Sequence, residues 1–319
     1  MNLKKPPWVL VLAAGDGTRV RDLTRDRQGN RAPKQFSSID GCQSLLGATL
    51  GRAKRIAPPE RIVAIVAAQH RRWWESELDA IPADNVIVQP ENRGTASGVL
   101  LPLLWITQRE EDATIVVLPS DHFVESEEAL EGAVNECLSA VNHSDVGVVM
   151  LGFKPVCPEM EYGWIVPCPH ESSCPYHVSS FREKPDAETA ASLLDQGGLL
   201  NSFILVARSR PLLNMFGDQL PDLWQEFNRS LATDDADRWG QRNLTLLYRS
   251  LPVLDFSKDL LEKTEKSLWV YPVPACGWAD LGTPERLAGH LSPANIIGGV
   301  GGEGESRSLS RSLEAAGIG

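Results

Sequence analysis

Trp8-Val9-Leu10-Val11-Leu12-Ala13-Ala14-Gly15-Asp16-Gly17-Thr18-Arg19 is the stretch that decides the fold. Its apolar run, Trp8 to Ala13, shows no polar alternation, which is how a strand covered on both faces reads. The run leads straight into a glycine-rich turn, so Lys4 and Lys5 precede a buried first strand rather than opening a signal peptide. Similar runs follow at Ile62 to Ala67, Val86 to Val88, Thr114 to Leu118 and Val146 to Leu151. Between them, Leu45, Leu46, Thr49, Leu50, Ala53 and Ile56 have helical spacing. Thr95 to Thr107 reads as a second helix capped by Thr95, and Ser126 to Val141 as a third, opened by acidic residues that suit a helix N-terminus. Strands alternating with helices predict an α/β fold with a doubly wound, mainly parallel sheet.

At 319 residues and 42% hydrophobic content, the chain can bury a large core. From Tyr162 onward the strands shorten (Gly163 to Val166, Val178 to Phe181, Ser202 to Val206), with helices after Asp186 and around Pro211 to Phe227. This half is expected to extend the sheet and form a pocket lid. The expected division is therefore 1–292, with halves at about 1–150 and 151–292, followed by a Gly- and Ser-rich tail over 293–319 expected to be flexible.

A formal charge of −11 leaves no net positive field for a nucleic-acid backbone, so no nucleic-acid partner is expected. No apolar run reaches the roughly 20 residues needed to span a bilayer, and a cytoplasmic location without membrane contact is expected. Six cysteines in a chain of this length do not suggest a disulfide framework. Cys157, Cys168, His170, Cys174 and His177 lie close together, but their spacing fits no familiar zinc pattern and the stretch reads as a hairpin loop.

The turn at Gly15 and Gly17 lets backbone N–H groups approach a phosphate closely. A dinucleotide fingerprint would need a third glycine where Val20 stands, and the Walker pattern is absent, so phosphate is handled differently here. Its partner is Pro33-Lys34-Gln35-Phe36, reached through a loop carrying Arg19, Arg21, Arg25, Arg27 and Arg31. Arginines in such a run are as often a solvated surface as a site. Further blocks stand at strand ends and turns: Gln89-Pro90-Glu91-Asn92-Arg93-Gly94-Thr95-Ala96, Leu118-Pro119-Ser120-Asp121-His122, Tyr162-Gly163-Trp164-Ile165, Glu183-Lys184-Pro185, Asn201-Ser202 and Gly277-Trp278-Ala279-Asp280-Leu281-Gly282. Taken singly, these are also what helix caps, loop carboxylates, surface ion pairs and turns look like. Asp121 does, however, follow a buried strand, at the end where open α/β sheets bind ligands.

Together and in order, the blocks resemble the sugar-phosphate nucleotidyltransferases, and within them the mannose-1-phosphate guanylyltransferases, over roughly residues 8 to 288. The resemblance implies a Rossmann-like nucleotidyltransferase fold with an inserted sugar-binding lid. It implies that Arg19 and Lys34 neutralise the triphosphate, and that Leu12, Ala13, Ala14, Gly15, Gly17, Thr18, Gln89, Asn92, Arg93 and Thr95 bind the nucleotide. Asp121 and Asp280 would ligate Mg²⁺. Tyr162, Gly163, Glu183 and Asn201 would contact the sugar, and Lys184 its phosphate. Five departures stand out: Val20 replaces Leu, Gln89 replaces Glu, Gly94 replaces Asn, Trp164 replaces Tyr, and Phe203 replaces the Gly after Asn-Ser. The loop from Arg19 to Lys34 also looks longer than usual.

The implied reaction is transfer of a nucleotidyl group from GTP to mannose 1-phosphate, giving GDP-mannose and pyrophosphate. Its implied partners are GTP and a sugar 1-phosphate, with a homodimer as a candidate assembly. Two alternatives stay open: the same chemistry with another triphosphate or sugar phosphate, and a non-catalytic nucleotide-sugar sensor. An attacking phosphate with a second pKa near ~6 is already anionic at neutral pH, so no general base is needed. The barrier is repulsion between two anions, which positioning and charge neutralisation lower.

Overall fold

The computed structural model describes residues 5–39, 41–143, 145–168, 173–231 and 239–290. In chain order the main elements are β1 (Trp8–Ala13), α1 (Leu45–Ile56), β2 (Ile62–Ala67), α2 (Arg71–Glu77), β3 (Val86–Gln89), α3 (Gly94–Thr107), β4 (Thr114–Pro119), α4 (Glu127–His143) and β5 (Val148–Phe153). There follow β6 (Gly163–Pro167), β7 (Tyr176–Glu183), α5 (Ala187–Asp195), β8 (Leu199–Arg208), α6 (Ser209–Gln219), α7 (Pro221–Leu231), α8 (Gln241–Ser250), β9 (Trp269–Pro272) and α9 (Pro284–Ala288). The nine strands form one sheet in the order β3-β2-β1-β4-β8-β5-β9-β7-β6.

The first half is doubly wound as expected, with β1, β2, β3 and β4 all parallel. The expectation of a mainly parallel sheet needs correction, because the sheet is mixed. β8 runs antiparallel between β4 and β5, and β6 and β7 pair antiparallel with their neighbours. Only β5 and β9 restore a parallel pair in the second half. β8 is ten residues long, so its first residues also reach β6, and the strands from β8 through β5, β9, β7 and β6 close on themselves. The strands expected in a lid are thus paired into the same sheet.

Burial explains the uniform apolar runs. Leu10, Ile65 and Val117 face a core made with α3, α6 and α7, while Val9, Val11 and Val116 face a second core made with α1 and α4. Leu100 of α3 is fully buried, and truncating such a leucine to alanine costs about 2–5 kcal/mol. Ser44 caps α1, its hydroxyl accepting from Gly47 N at 2.8 Å.

Thr95 does not cap α3: Arg93 stands at that position, without a capping side chain. The Thr95 hydroxyl instead accepts from Phe256 N at 2.7 Å and donates to Asp255 at 3.3 Å. The tail over 293–319 lies outside the described residues. So does His170, and among the described residues no group of three or more His, Cys, Asp or Glu side chains is placed to hold a metal.

Candidate active site

The site lies at the C-terminal ends of β1 and β4. After β1 the chain turns through Gly15 and Gly17, and Gly17 adopts φ +58°. A Cβ there would lie 2.7 Å from Lys34 N and 2.9 Å from Pro33 Cβ, so only glycine lets the turn nest against Pro33-Lys34-Gln35. Gln35 locks the two segments together by donating to Gly15 O at 2.7 Å and to Ala13 O at 3.3 Å. Asp16 is held by Asn92 at 2.9 Å and Gln69 at 3.1 Å, which ties the turn to the β3–α3 junction.

Lys34 is buried, 6% exposed, and its amine is the hub of the site. It donates to Asp121 Oδ2 at 3.0 Å and to the main-chain oxygen of Asp280. The two carboxylate-bearing segments, remote in sequence, are joined by an antiparallel bridge: Phe123 N donates to Ala279 O at 2.9 Å, and Ala279 N to Phe123 O at 3.0 Å. The Asp280 side chain accepts through Oδ1 from Tyr162 at 2.8 Å, from Gly282 N at 3.0 Å and from Arg286. Lys34, Asp121 and Asp280 therefore converge, with Tyr162 in contact.

Electrostatics keeps these carboxyls ionised. Burial opposes the charge on Asp121, but the Lys34 ammonium overrides it and holds the carboxyl below its ordinary range. For Asp280 burial is again opposed, this time by Lys34 and Arg286 together, and the pKa is lowered. His122 is pushed down to about 4 by burial.

Arg19 is not part of this hub: its guanidinium pairs with Glu161, on the segment before β6, at 3.3 Å, and both side chains are largely exposed. Lys184 lies at the end of β7 in the left-handed region, φ 47°, with its N–H donated to Tyr162 O at 3.1 Å and its amine 3.5 Å from Glu183. Leu281, directly after Asp280, has φ 50°. Such strained residues persist only where the surroundings hold them, and functional sites are where they collect. Phe203 is the third, φ 61°, where β8 bulges against β5.

Gly163, Glu183 and Asn201 come together: a Cβ on Gly163 would lie 2.5 Å from Glu183 Oε2 and 3.2 Å from Asn201 Cβ. Glu183 Oε2 is buried without a partner. Burial, with Asp255 nearby, raises this carboxyl to about 7.

Beside the turn lies a cavity of about 320 Å³, lined by Leu12, Ala14, Gly15, Gln89, Asn92 and Thr95 together with Ile65, Gly94, Gly98, Val253, Leu254, Asp255 and Asp259. Six of the expected nucleotide contacts thus share one hollow. Ala13, Gly17, Thr18 and Arg93 do not line it, and Arg93 instead pairs with Glu91 at 3.0 Å. Gln89 is 2% exposed, and its Oε1 has no partner.

The wall from Val253 to Asp259 and the cation Arg286 were missed in the sequence. Arg286 sits over the Tyr162 ring at 4.5 Å and bonds its hydroxyl at 2.6 Å. The one available signal was Gly94. With φ +83° and a Cβ position 2.1 Å from Leu254 O, it marks a backbone segment pressed against the start of α3.

A family model described as nucleotidyl transferase matches residues 8–291. The chain is 29% identical over 294 residues to a protein of Escherichia coli O157:H7 named mannose-1-phosphate guanylyltransferase 2, covering 88% of this chain and 59% of that one. A mannose-1-phosphate guanylyltransferase of Escherichia coli strain K12 is 27% identical over 305 residues, covering 92% and 62%. The chain thus spans about three-fifths of the length of these curated relatives. A solved structure from Thermus thermophilus, described as a mannose-1-phosphate geranyltransferase, superposes with a TM-score of 0.74 at 30% identity, covering 87% of this chain and 76% of that one. With the glycine turn, the lysine hub and the two carboxylates all inside the matched span, the chain belongs to the nucleotidyl transferase family.

Proposed function

We propose that the protein transfers a guanylyl group from GTP to mannose 1-phosphate, releasing pyrophosphate. The observation that carries this reading is the meeting of Lys34, Asp121 and Asp280, with Lys34 nested against the glycine turn whose Gly15 lines the cavity. The names of the relatives support the choice of mannose 1-phosphate and a guanylyl donor.

The residues present suit a magnesium ion. Asp121 and Asp280 are hard oxygen donors held ionised, and the negative charge of Asp280 works against the lowered pKa of Asp121, a cost that a shared cation relieves. Asp121 Oδ1 and Asp280 Oδ2 are the oxygens left over by Lys34, Tyr162, Gly282 and Arg286. When bound, Mg²⁺ supplies charge neutralisation at the phosphoryl oxygens. The chain's own residues do the rest. Lys34 balances charge on the triphosphate, the glycine turn presents backbone N–H groups, and Lys184 draws the sugar phosphate toward it. Arg19, paired with Glu161, exchanges that carboxylate for a departing phosphate. Glu183 and Asn201 orient the sugar hydroxyls. A panel of nucleoside triphosphates against sugar 1-phosphates, read by pyrophosphate release, tests the assignment. GTP with mannose 1-phosphate should give the highest kcat/KM, and preference for any other pair would refute it.

A further inference from the structure

Asp121 has a neighbour whose placement the proposed chemistry leaves unexplained. His122 is buried, 8% exposed, at the end of β4. Its Nδ1 lies 3.2 Å from Trp278 Nε1, with the two rings edge to face at 5.4 Å. An indole N–H only donates, so Nδ1 is the acceptor and the imidazole proton sits on Nε2. Nε2 faces Asp121 Oδ1 across 3.7 Å, an electrostatic contact longer than a hydrogen bond, while Lys34 holds Oδ2. The indole is itself clamped, stacked on Phe153 at 4.5 Å and tilted against Tyr162 at 5.6 Å. Trp278 is two residues from Asp280, and the Phe123–Ala279 bridge fastens its segment to that of His122.

We propose that His122 is a positioning residue: its Nε2–H, fixed in that tautomer by Trp278, aims the Asp121 carboxylate and couples it to the segment bearing Asp280. A carboxylate rotates broadly about its terminal torsion unless both oxygens are held. Lys34 alone leaves Oδ1 unrestrained, and His122 is the group placed on that side. Partners of this kind typically matter by about 10- to 100-fold in activity. The inference rests on the proposed nucleotidyl transfer for its kinetic readout, but not for its spectroscopic one.

Long-range ¹H–¹⁵N spectra of the imidazoles should show His122 as the Nε2–H tautomer in the wild-type protein and a loss of that bias in Trp278→Phe, which keeps an aromatic ring but no donor. His122→Phe should lower kcat by about 10- to 100-fold with the KM for GTP and the melting temperature near wild type. His122→Gln, which restores an N–H donor, should recover most of the loss. A wild-type Nδ1–H tautomer, or a folded His122→Phe enzyme with unchanged kcat, would overturn the proposal. Should His122→Phe not fold, the spectra of the wild type and of Trp278→Phe still decide. A wild-type protein inactive with every substrate pair would overturn the proposed function, while the spectra would still judge His122.

Discussion

Replacing Gly94 by alanine should lift the wall of the cavity beside the glycine turn. Gly94 is held at φ +83°, which costs an alanine about 1–2 kcal/mol. The new Cβ would sit 2.1 Å from Leu254 O and 2.8 Å from Leu254 C, and backbone atoms cannot yield as a side chain does. Segment 253–256 must therefore move, breaking Ala96 N–H to Leu254 O (3.1 Å) and Leu254 N–H to Arg93 O (3.3 Å). At about 0.5–1.5 kcal/mol per bond, the total loss is about 2–5 kcal/mol, or a fall of about 4–10 °C in melting temperature. Val253, Leu254 and Asp255 line the cavity, so nucleotide affinity should drop at least about tenfold with the stability. Asn tolerates left-handed backbone, so Gly94→Asn relieves the strain but keeps the clash. It should lose less stability and as much affinity, although Asn is the residue of the resembled motif. Scanning fluorimetry and nucleotide titration check this. A Gly94→Ala protein with wild-type melting and wild-type affinity would show that the 254 segment does not press on α3.

Other outcomes follow from single side chains. Glu183, raised from 4.5 to about 7, favours its protonated form in the fold. Its stabilising contribution is full below about pH 4.5 and is lost as pH rises through 7, so wild type should lose roughly 3 kcal/mol relative to Glu183→Gln across that window in urea titrations. Parallel curves for the two proteins would refute this. Arg52, 1% exposed, is bound by Glu127 at 2.7 and 2.8 Å, and Glu127→Ala should cost about 3 kcal/mol by stranding a buried guanidinium. A change below about 1 kcal/mol would mean water reaches Arg52. Tyr162→Phe removes the hydroxyl shared by Asp280 and Arg286, and should cut turnover about tenfold while shifting the melting temperature by only a few degrees. An unchanged turnover number would leave that hydroxyl without a role.

Much of the first half was legible because its signals are local. A strand buried on both faces must be uniformly apolar, and a turn that nests against Lys34 must have glycine at Gly17. Direction was not legible in the same way. The apolar run Ile204 to Ala207 of β8 reads alike whether its neighbours are parallel or antiparallel, so the mixed sheet stayed hidden. The pairing of Asp121 with Asp280 was reached only through the resemblance, since the Phe123–Ala279 bridge that makes it spans 156 positions. Val253 to Asp259 went unread because it runs from irregular backbone into one π-helical turn, Phe256–Leu260, with no apolar period, and its meaning depends on what it touches. Arg19 was placed at the triphosphate by its motif, but its partner in the fold, Glu161, sits on an irregular segment with no pattern of its own.

The most direct test of the account replaces Asp121 and Asp280 of the hub and, separately, Lys184 at the end of β7, and measures pyrophosphate release from GTP and mannose 1-phosphate in Mg²⁺. Asp121→Asn, Asp280→Asn and Lys184→Ala should each lower turnover by orders of magnitude while retaining the wild-type circular dichroism spectrum. Three folded variants that all turn over at near the wild-type rate would contradict it.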